Sequence, residues 1–153
     1  MYPGNLKLNK KGQEFSGFRL LVEAVMVVLI MVIIFAILTH IESIRHDVSK
    51  RKLFDGFKKA FDAPDGSVIF EENLVLTANS AYTAGAFANT VTGISPECIE
   101  FRAIESPAFL VGESSIEIGQ QVETDVYYSC QRQYEGGECP ITCIISFGRD
   151  LRE

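Results

Sequence analysis

The sequence predicts an α+β protein: a long N-terminal α-helix, transmembrane in its first half, followed by a small antiparallel β-rich domain closed by disulfides. Three observations predict it. Residues 20–38 are apolar throughout except for Glu23. After Gly66 the hydrophobic spacing changes from three-to-four toward two. All four cysteines, Cys98, Cys130, Cys139 and Cys143, fall in that second part.

The first twelve residues are polar and basic, with Lys7, Lys10 and Lys11, and contain Pro3, Gly4 and Asn5. They read as a disordered leader, residues 1–12. A helix is expected over 13–61, starting between Gln13 and Phe18. Its stretch from about 20 to 38 covers roughly 28 Å at helical rise, close to the hydrocarbon core of a bilayer. Residues 24–38 contain no polar side chain, so the polar stripe of a soluble surface helix is missing. Beyond the span, Ile41, Ile44 and Val48 recur at helical spacing, and Phe54, Phe57 and Phe61 do so after a phase shift near Leu53. Arg45, Asp47, Lys50, Arg51, Lys52, Lys58 and Lys59 lie between them. The pattern is that of one helix, apolar all round and then one-sided, or of two helices broken near Lys50. Ala63-Pro64-Asp65-Gly66 ends it in a turn.

The domain over 67–153 is expected to contain strands at 67–70, 74–76, 98–104, 115–118, 122–128 and 143–147. Ile99, Phe101 and Ala103 would share one face, and Ile116 and Ile118 another. Turn residues separate these runs: Gly93, Ser95-Pro96, Ser106-Pro107, Gly112, Gly136-Gly137 and Gly148. Residues 77–92, rich in Ala, Thr, Asn and Gly, fit either a loop or a surface helix. A helix laid on an antiparallel sheet is the natural way to bury Phe54, Phe57 and Phe61.

Charge is segregated along the chain. Residues 1–61 hold ten Lys/Arg against five Asp/Glu, a net of +5; residues 62–153 hold four against fifteen, a net of −11. The acidic distal part has no basic footprint for nucleic acid. The basic part suits anionic headgroups or an acidic neighbouring subunit. The even cysteine count predicts two disulfides outside the cytoplasm, with three pairings open. A four-thiolate zinc site is the rival, but only Cys139 and Cys143 have ligand-like spacing. Four cations precede the apolar run and six follow it. That count leans toward a cytoplasmic domain, against the cysteines.

No phosphate-binding glycine loop, nucleophile elbow, metal-ligand histidine motif or Asn-x-Ser/Thr acceptor occurs in the sequence. His40 and His46 are six apart and read as exposed helix residues; Tyr127, Tyr128 and Tyr134 read as half-buried strand aromatics. No enzyme activity, cofactor or metal is expected.

The order of signals at the N-terminus is the informative feature. A secretory signal peptide places its cleavage site after the apolar run. Here Lys10-Lys11-Gly12-Gln13 comes before it, and Thr39-His40-Ile41 after it is no small-x-small site. The arrangement resembles the class III signal peptide of type IV pilin-like proteins, the archaeal ones especially, over about the first forty residues. The resemblance implies a prepilin peptidase that recognises Lys10 and Lys11 and cuts after Gly12, making Gln13 the new N-terminus. Gly17-Phe18 is the alternative cut, with Glu23 then one residue later than the bacterial pattern has its acid. It implies that the apolar helix is retained, and that Val27, Leu29, Ile30, Ile33, Ile34 and Phe35 form an assembly surface with copies of the same chain. The partners so implied are the chain itself, the membrane before assembly, the peptidase and the assembly machinery, with the distal domain outside the cell.

Glu23 stands out because a carboxylate within an apolar run costs about 2.5–3.5 kcal/mol to insert. Under the resemblance it would pair with the N-terminal amine of a neighbour and set axial register. The residues alone offer a second partner, Arg19, four positions earlier on the same helix face. The reading outside the family is an uncleaved signal anchor whose extracellular β domain binds envelope partners.

Overall fold

A computed structural model describes residues 11–133 and 137–152 of the chain, with side chains from Gly17 onward. The expected leader lies outside the described residues except for its last two positions. The chain divides into two compact units at Ser43/Ile44. Helix α1, Lys11–Asp62, supplies all that is described of the first unit and the opening turns of the second. It is helical without interruption through Lys50, so the one-helix reading holds and the break does not occur. No proline lies between Pro3 and Pro64 to impose one.

The second unit adds β1 (Val68–Leu76), β2 (Ser80–Thr83), α2 (Ala84–Ala88), a 3-10 turn at Pro96–Cys98, β3 (Ile99–Ala103), β4 (Phe109–Val111), β5 (Ser115–Ile118), β6 (Val122–Arg132) and β7 (Ile141–Phe147). Among the described residues the strands form two sheets, ordered β1-β6-β7-β3 and β2-β5-β4. The pairings are antiparallel except for β3 with β7, which run parallel from Ile99 opposite Cys143 to Ala103 opposite Phe147. The expected antiparallel β-rich domain is thus present, with one parallel pairing within it. Parallel neighbours need a long connection, and here β4, β5 and β6 all intervene before β7 reaches β3. α+β remains the class.

The two predicted strands at 67–70 and 74–76 are one strand, β1. Its register to β6 shifts between Glu71 and Leu74, where Asn73 adopts φ 55°. Asparagine tolerates that conformation better than most residues. The predicted segment 98–104 begins at Ile99, with Cys98 in the preceding turn; Ile99 and Phe101 are buried and Ala103 half-buried on its inner face. Ile116 and Ile118 are fully buried on β5.

The core lies between the inner face of the four-stranded sheet, the shorter sheet, and the last turns of α1. Cross-strand rows Val126–Phe147 and Tyr128–Ile145 line the sheet face. Leu53, Phe57 and Ala60 of α1 are at most 1% exposed. With Ser49 and Gly56 they recur at steps of three and four, which keeps them on one helix face. Phe54 and Phe61, expected beside Phe57 in the core, are only partly buried at the margins of that stripe. The sequence pattern favoured large aromatics, whereas the contact surface admits small residues at its closest approach.

Residues 77–92 do contain a helix, but it is short and buried, and it follows a strand. β2 and α2 occupy them, and Ala84 and Phe87 are fully buried. The Thr83 hydroxyl caps α2 by accepting the Ala86 N–H at 3.3 Å. The Phe87 ring then meets Phe54 at 4.8 Å, Phe57 at 5.3 Å and Phe101 at 5.8 Å, joining α1 to β3.

α1 approaches Tyr128 closely at Gly56. The Tyr128 hydroxyl donates to the Leu53 carbonyl at 2.9 Å, and a side chain at Gly56 would meet the Tyr128 ring at 2.7 Å and Glu71 Cγ at 2.9 Å. Gly56 costs helix propensity, about 1 kcal/mol relative to Ala, and what it permits is that approach. Gly56→Ala should therefore destabilise the domain by about 1–3 kcal/mol, overpacking outweighing propensity. Denaturant midpoints of the purified full chain in detergent would check this; a stabilised variant would refute it.

Burial is the main cause that raises the Tyr128 hydroxyl well above its usual 10.0, with the Glu71 charge second, and burial likewise raises Tyr82. Both hold their protons more tightly folded than unfolded. Their contribution is constant below pH 10 and falls as pH rises beyond it. Stability should thus drop between neutral pH and about pH 11, and Tyr128→Phe should flatten the drop, at a cost of about 0.5–1.5 kcal/mol at neutral pH for the lost hydrogen bond.

Candidate functional site

From Phe18 to Leu38 the large apolar side chains of α1 are 42–71% exposed. Among the described residues this is the helix long and apolar enough to cross a membrane, by length and composition, and none of its most apolar window is buried. The assembly residues expected from the sequence, Val27, Leu29, Ile30, Ile33, Ile34 and Phe35, all lie on it and all are exposed. They occupy every side of the helix, not one face, because nothing in a uniformly apolar segment distinguishes one side from another.

The processing residues are placed less fully. Lys10 lies outside the described residues. Lys11, Gly12 and Gln13 fall in the first turn of α1, without described side chains. Gly17 and Phe18 sit within the helix; Phe18 is 70% exposed, and no atom approaches within 4 Å of where a Gly17 side chain would start.

Glu23 is paired inside its own chain. Arg19 Nε donates to Glu23 Oε1 at 3.0 Å, one helical turn away. Both side chains are exposed, so the pair is weak in water. In a low-dielectric setting it would leave neither charge alone. At the far end of the apolar run the Thr39 hydroxyl donates back to the carbonyls of Phe35 and Ala36, and the Ser43 hydroxyl to that of His40. These bonds satisfy polar side chains within the helix itself.

The cysteines are all paired, Cys98 with Cys139 and Cys130 with Cys143. This settles the pairing left open by the sequence and leaves no thiolate for the zinc alternative. Cys130 and Cys143 face each other directly across β6 and β7. The Cys98–Cys139 bridge ties the turn before β3 to the segment before β7. Each bridge therefore clamps an edge of the β7 pairing.

Of the two histidines, His40 is exposed as expected. His46 is half-buried, and its Nδ1 has no hydrogen-bond partner. No group of three His, Cys, Asp or Glu is arranged to hold a metal among the described residues. Sequence reasoning missed Ser49, whose hydroxyl accepts the Val75 N–H at 3.0 Å and so covers part of the open edge of β1. A serine between cations on a helix carries no signal of that role. Lys59 reaches the same strand, pairing with Glu71 at 2.6 Å, and Arg45 pairs with Glu123 at 3.5 Å.

No protein-family model, curated protein or solved structure matches this chain.

Peptide mapping without reductant should recover linked peptides carrying Cys98 with Cys139 and Cys130 with Cys143, and no other pairing. Replacing both Cys130 and Cys143 by Ser should cost about 2–4 kcal/mol of domain stability, read as a lower denaturant midpoint. An unchanged midpoint would show that the β6–β7 pairing does not depend on its bridge.

Proposed function

We propose that this chain is a structural subunit of a type IV pilus-like surface filament. It is held in the membrane by α1, carries its disulfide-bonded domain outside the cell, and polymerises through the same helix. The observation that carries the reading is a stretch of α1, residues 20–38, apolar on nearly all sides and exposed among the described residues, with Lys10-Lys11-Gly12-Gln13 a few residues before it. Before assembly, lipid covers that surface. Between two such helices in lipid there is no hydrophobic drive to associate, only packing and polar contacts. Once withdrawn from the bilayer, the helix must bury its surface against copies of itself. The two disulfides support an extracytoplasmic domain and outweigh the flanking charge count. The role so proposed is structural.

One observation favours the second reading, an uncleaved signal anchor whose domain binds envelope partners. Glu23 is already paired with Arg19, so it needs no neighbour's amine to be tolerated. The two readings part at the N-terminus. The intact mass of the chain purified from its native cells should show loss of residues 1–12, or of 1–17, for a processed subunit. Retention of Lys10 and Lys11 would refute processing and leave the anchor.

A further inference from the structure

The two disulfides differ in how a reductant can reach them. Cys130 and Cys143 are 5% and 0% exposed and face each other within the β6–β7 hairpin. Cys98 is also buried, at 3%, but its partner Cys139 is only half-buried. Cys139 lies in the connection between β6 and β7, outside the strands. It adjoins Pro140, whose carbonyl accepts the Gln133 N–H at 2.9 Å. A disulfide breaks when a thiolate reaches one of its sulfurs. At Cys130 and Cys143 that approach requires the sheet to open, whereas Cys139 keeps solvent contact with the sheet closed.

The two bridges also hold different things. Cys130–Cys143 lies inside a hairpin whose strands are adjacent in the chain. Cys98 directly precedes β3, and Cys139 comes two residues before β7. Their bridge therefore ties together the starts of two parallel strands, next to the Ile99–Cys143 pair. No short turn can do this for a parallel pair, and β4, β5 and β6 all intervene in the chain. The bridge spans a sequence separation of 41 against 13 for the other, and the longer closed loop is the larger constraint. β3 is an outer strand of its sheet and pairs there with β7 alone. Without the bridge, its attachment rests on a five-residue ladder, on buried Ile99 and Phe101, and on the Phe101 ring against Phe87 at 5.8 Å.

We propose that Cys98–Cys139 is a redox-sensitive latch on β3, opened by a dithiol reductant, while Cys130–Cys143 stays closed and keeps β1, β6 and β7 in place. A thiolate of the dithiol attacks the Cys139 sulfur and forms a mixed disulfide, and Cys98 leaves as a thiolate that takes up a proton. The second thiol of the reductant then attacks its own sulfur in that mixed disulfide and expels Cys139, which is protonated in turn. Two electrons and two protons pass to the cysteine pair, and the reductant leaves as a cyclic disulfide. Released, β3 opens locally and uncovers the edge of β7 together with the apolar side chains of Ile99 and Phe101. The latch belongs to the second unit alone, so it requires neither the filament nor the anchor.

The test uses the purified full chain in detergent, treated with graded dithiothreitol, quenched by alkylation and mapped by mass spectrometry. Cys98 and Cys139 should be alkylated about tenfold or more faster than Cys130 and Cys143. In the selectively reduced protein, amide hydrogen exchange over residues 99–103 should quicken about tenfold or more, with 68–76 and 122–132 unchanged. A chain carrying Cys98→Ser and Cys139→Ser should show the same fast exchange over 99–103 without reductant. Reduction of both bridges at one rate, unchanged exchange over 99–103 after selective reduction, or faster exchange throughout the domain would each overturn the proposal. The native chain is reduced after it has folded, so these readouts decide even if the double variant does not fold.

Discussion

An apolar helix surface with no partner among the described residues is the constraint on which the rest of this protein depends. A side chain such as Leu or Ile contributes about 1.5–3 kcal/mol when removed from water, and α1 presents such side chains on every side from Phe18 to Leu38. The core of the second unit is filled by Leu53, Phe57, Phe87 and the sheet residues opposite. Such a surface needs a cover, and lipid is one that its length and composition suit. Every functional reading of the chain is an answer to what that covering is.

The domain, for its part, is built to hold a helix it does not enclose. Its grip on α1 is confined to the last turns and is polar as well as apolar. Tyr128 reaches the Leu53 carbonyl, Ser49 covers the Val75 amide, and Lys59 meets Glu71. The latter two contacts fall on β1, an edge strand of the larger sheet. An open strand edge invites pairing with other chains, and natural sheets blunt it with charge and cover. Covering the β1 edge in this way removes a site at which other chains could pair. The two disulfides act in the same direction, constraining the unfolded chain of a domain whose core is modest.

Much of this was legible in the sequence, and the failures have physical causes. The apolar run, the change of period after Gly66, and the faces of Ile99/Phe101 and Ile116/Ile118 all rest on repeated spacing, which survives folding. β4 was not legible because three residues between Pro107 and Gly112 are too few to show a period. α2 was left between loop and surface helix for a similar reason; five residues of Ala, Gly and Phe give no sign of burial until Phe87 is seen among three other rings. The parallel placement of β3 beside β7 depends on contacts distant in sequence. Gly56 and Ser49 were invisible because each matters through one close neighbour, not through a pattern. For the candidate site, the apolar residues could be read directly, but the choice between Arg19 and a neighbour's amine as partner of Glu23 could not, since sequence gives only the first candidate's spacing.

The change of period within α1 has a related cause. From Ser49 onward the buried positions recur through Leu53, Phe57 and Ala60. Ile44 and Val48, just before them, stay about half exposed and border a cavity whose other wall is Asn73 and Val75 of β1. The phase shift near Leu53 is the trace of where close packing on the sheets begins. Substitutions at Leu53, Phe57 or Ala60 therefore act on the fold of the domain, whereas those at the exposed apolar positions before Leu38 can change what covers the helix without touching that core.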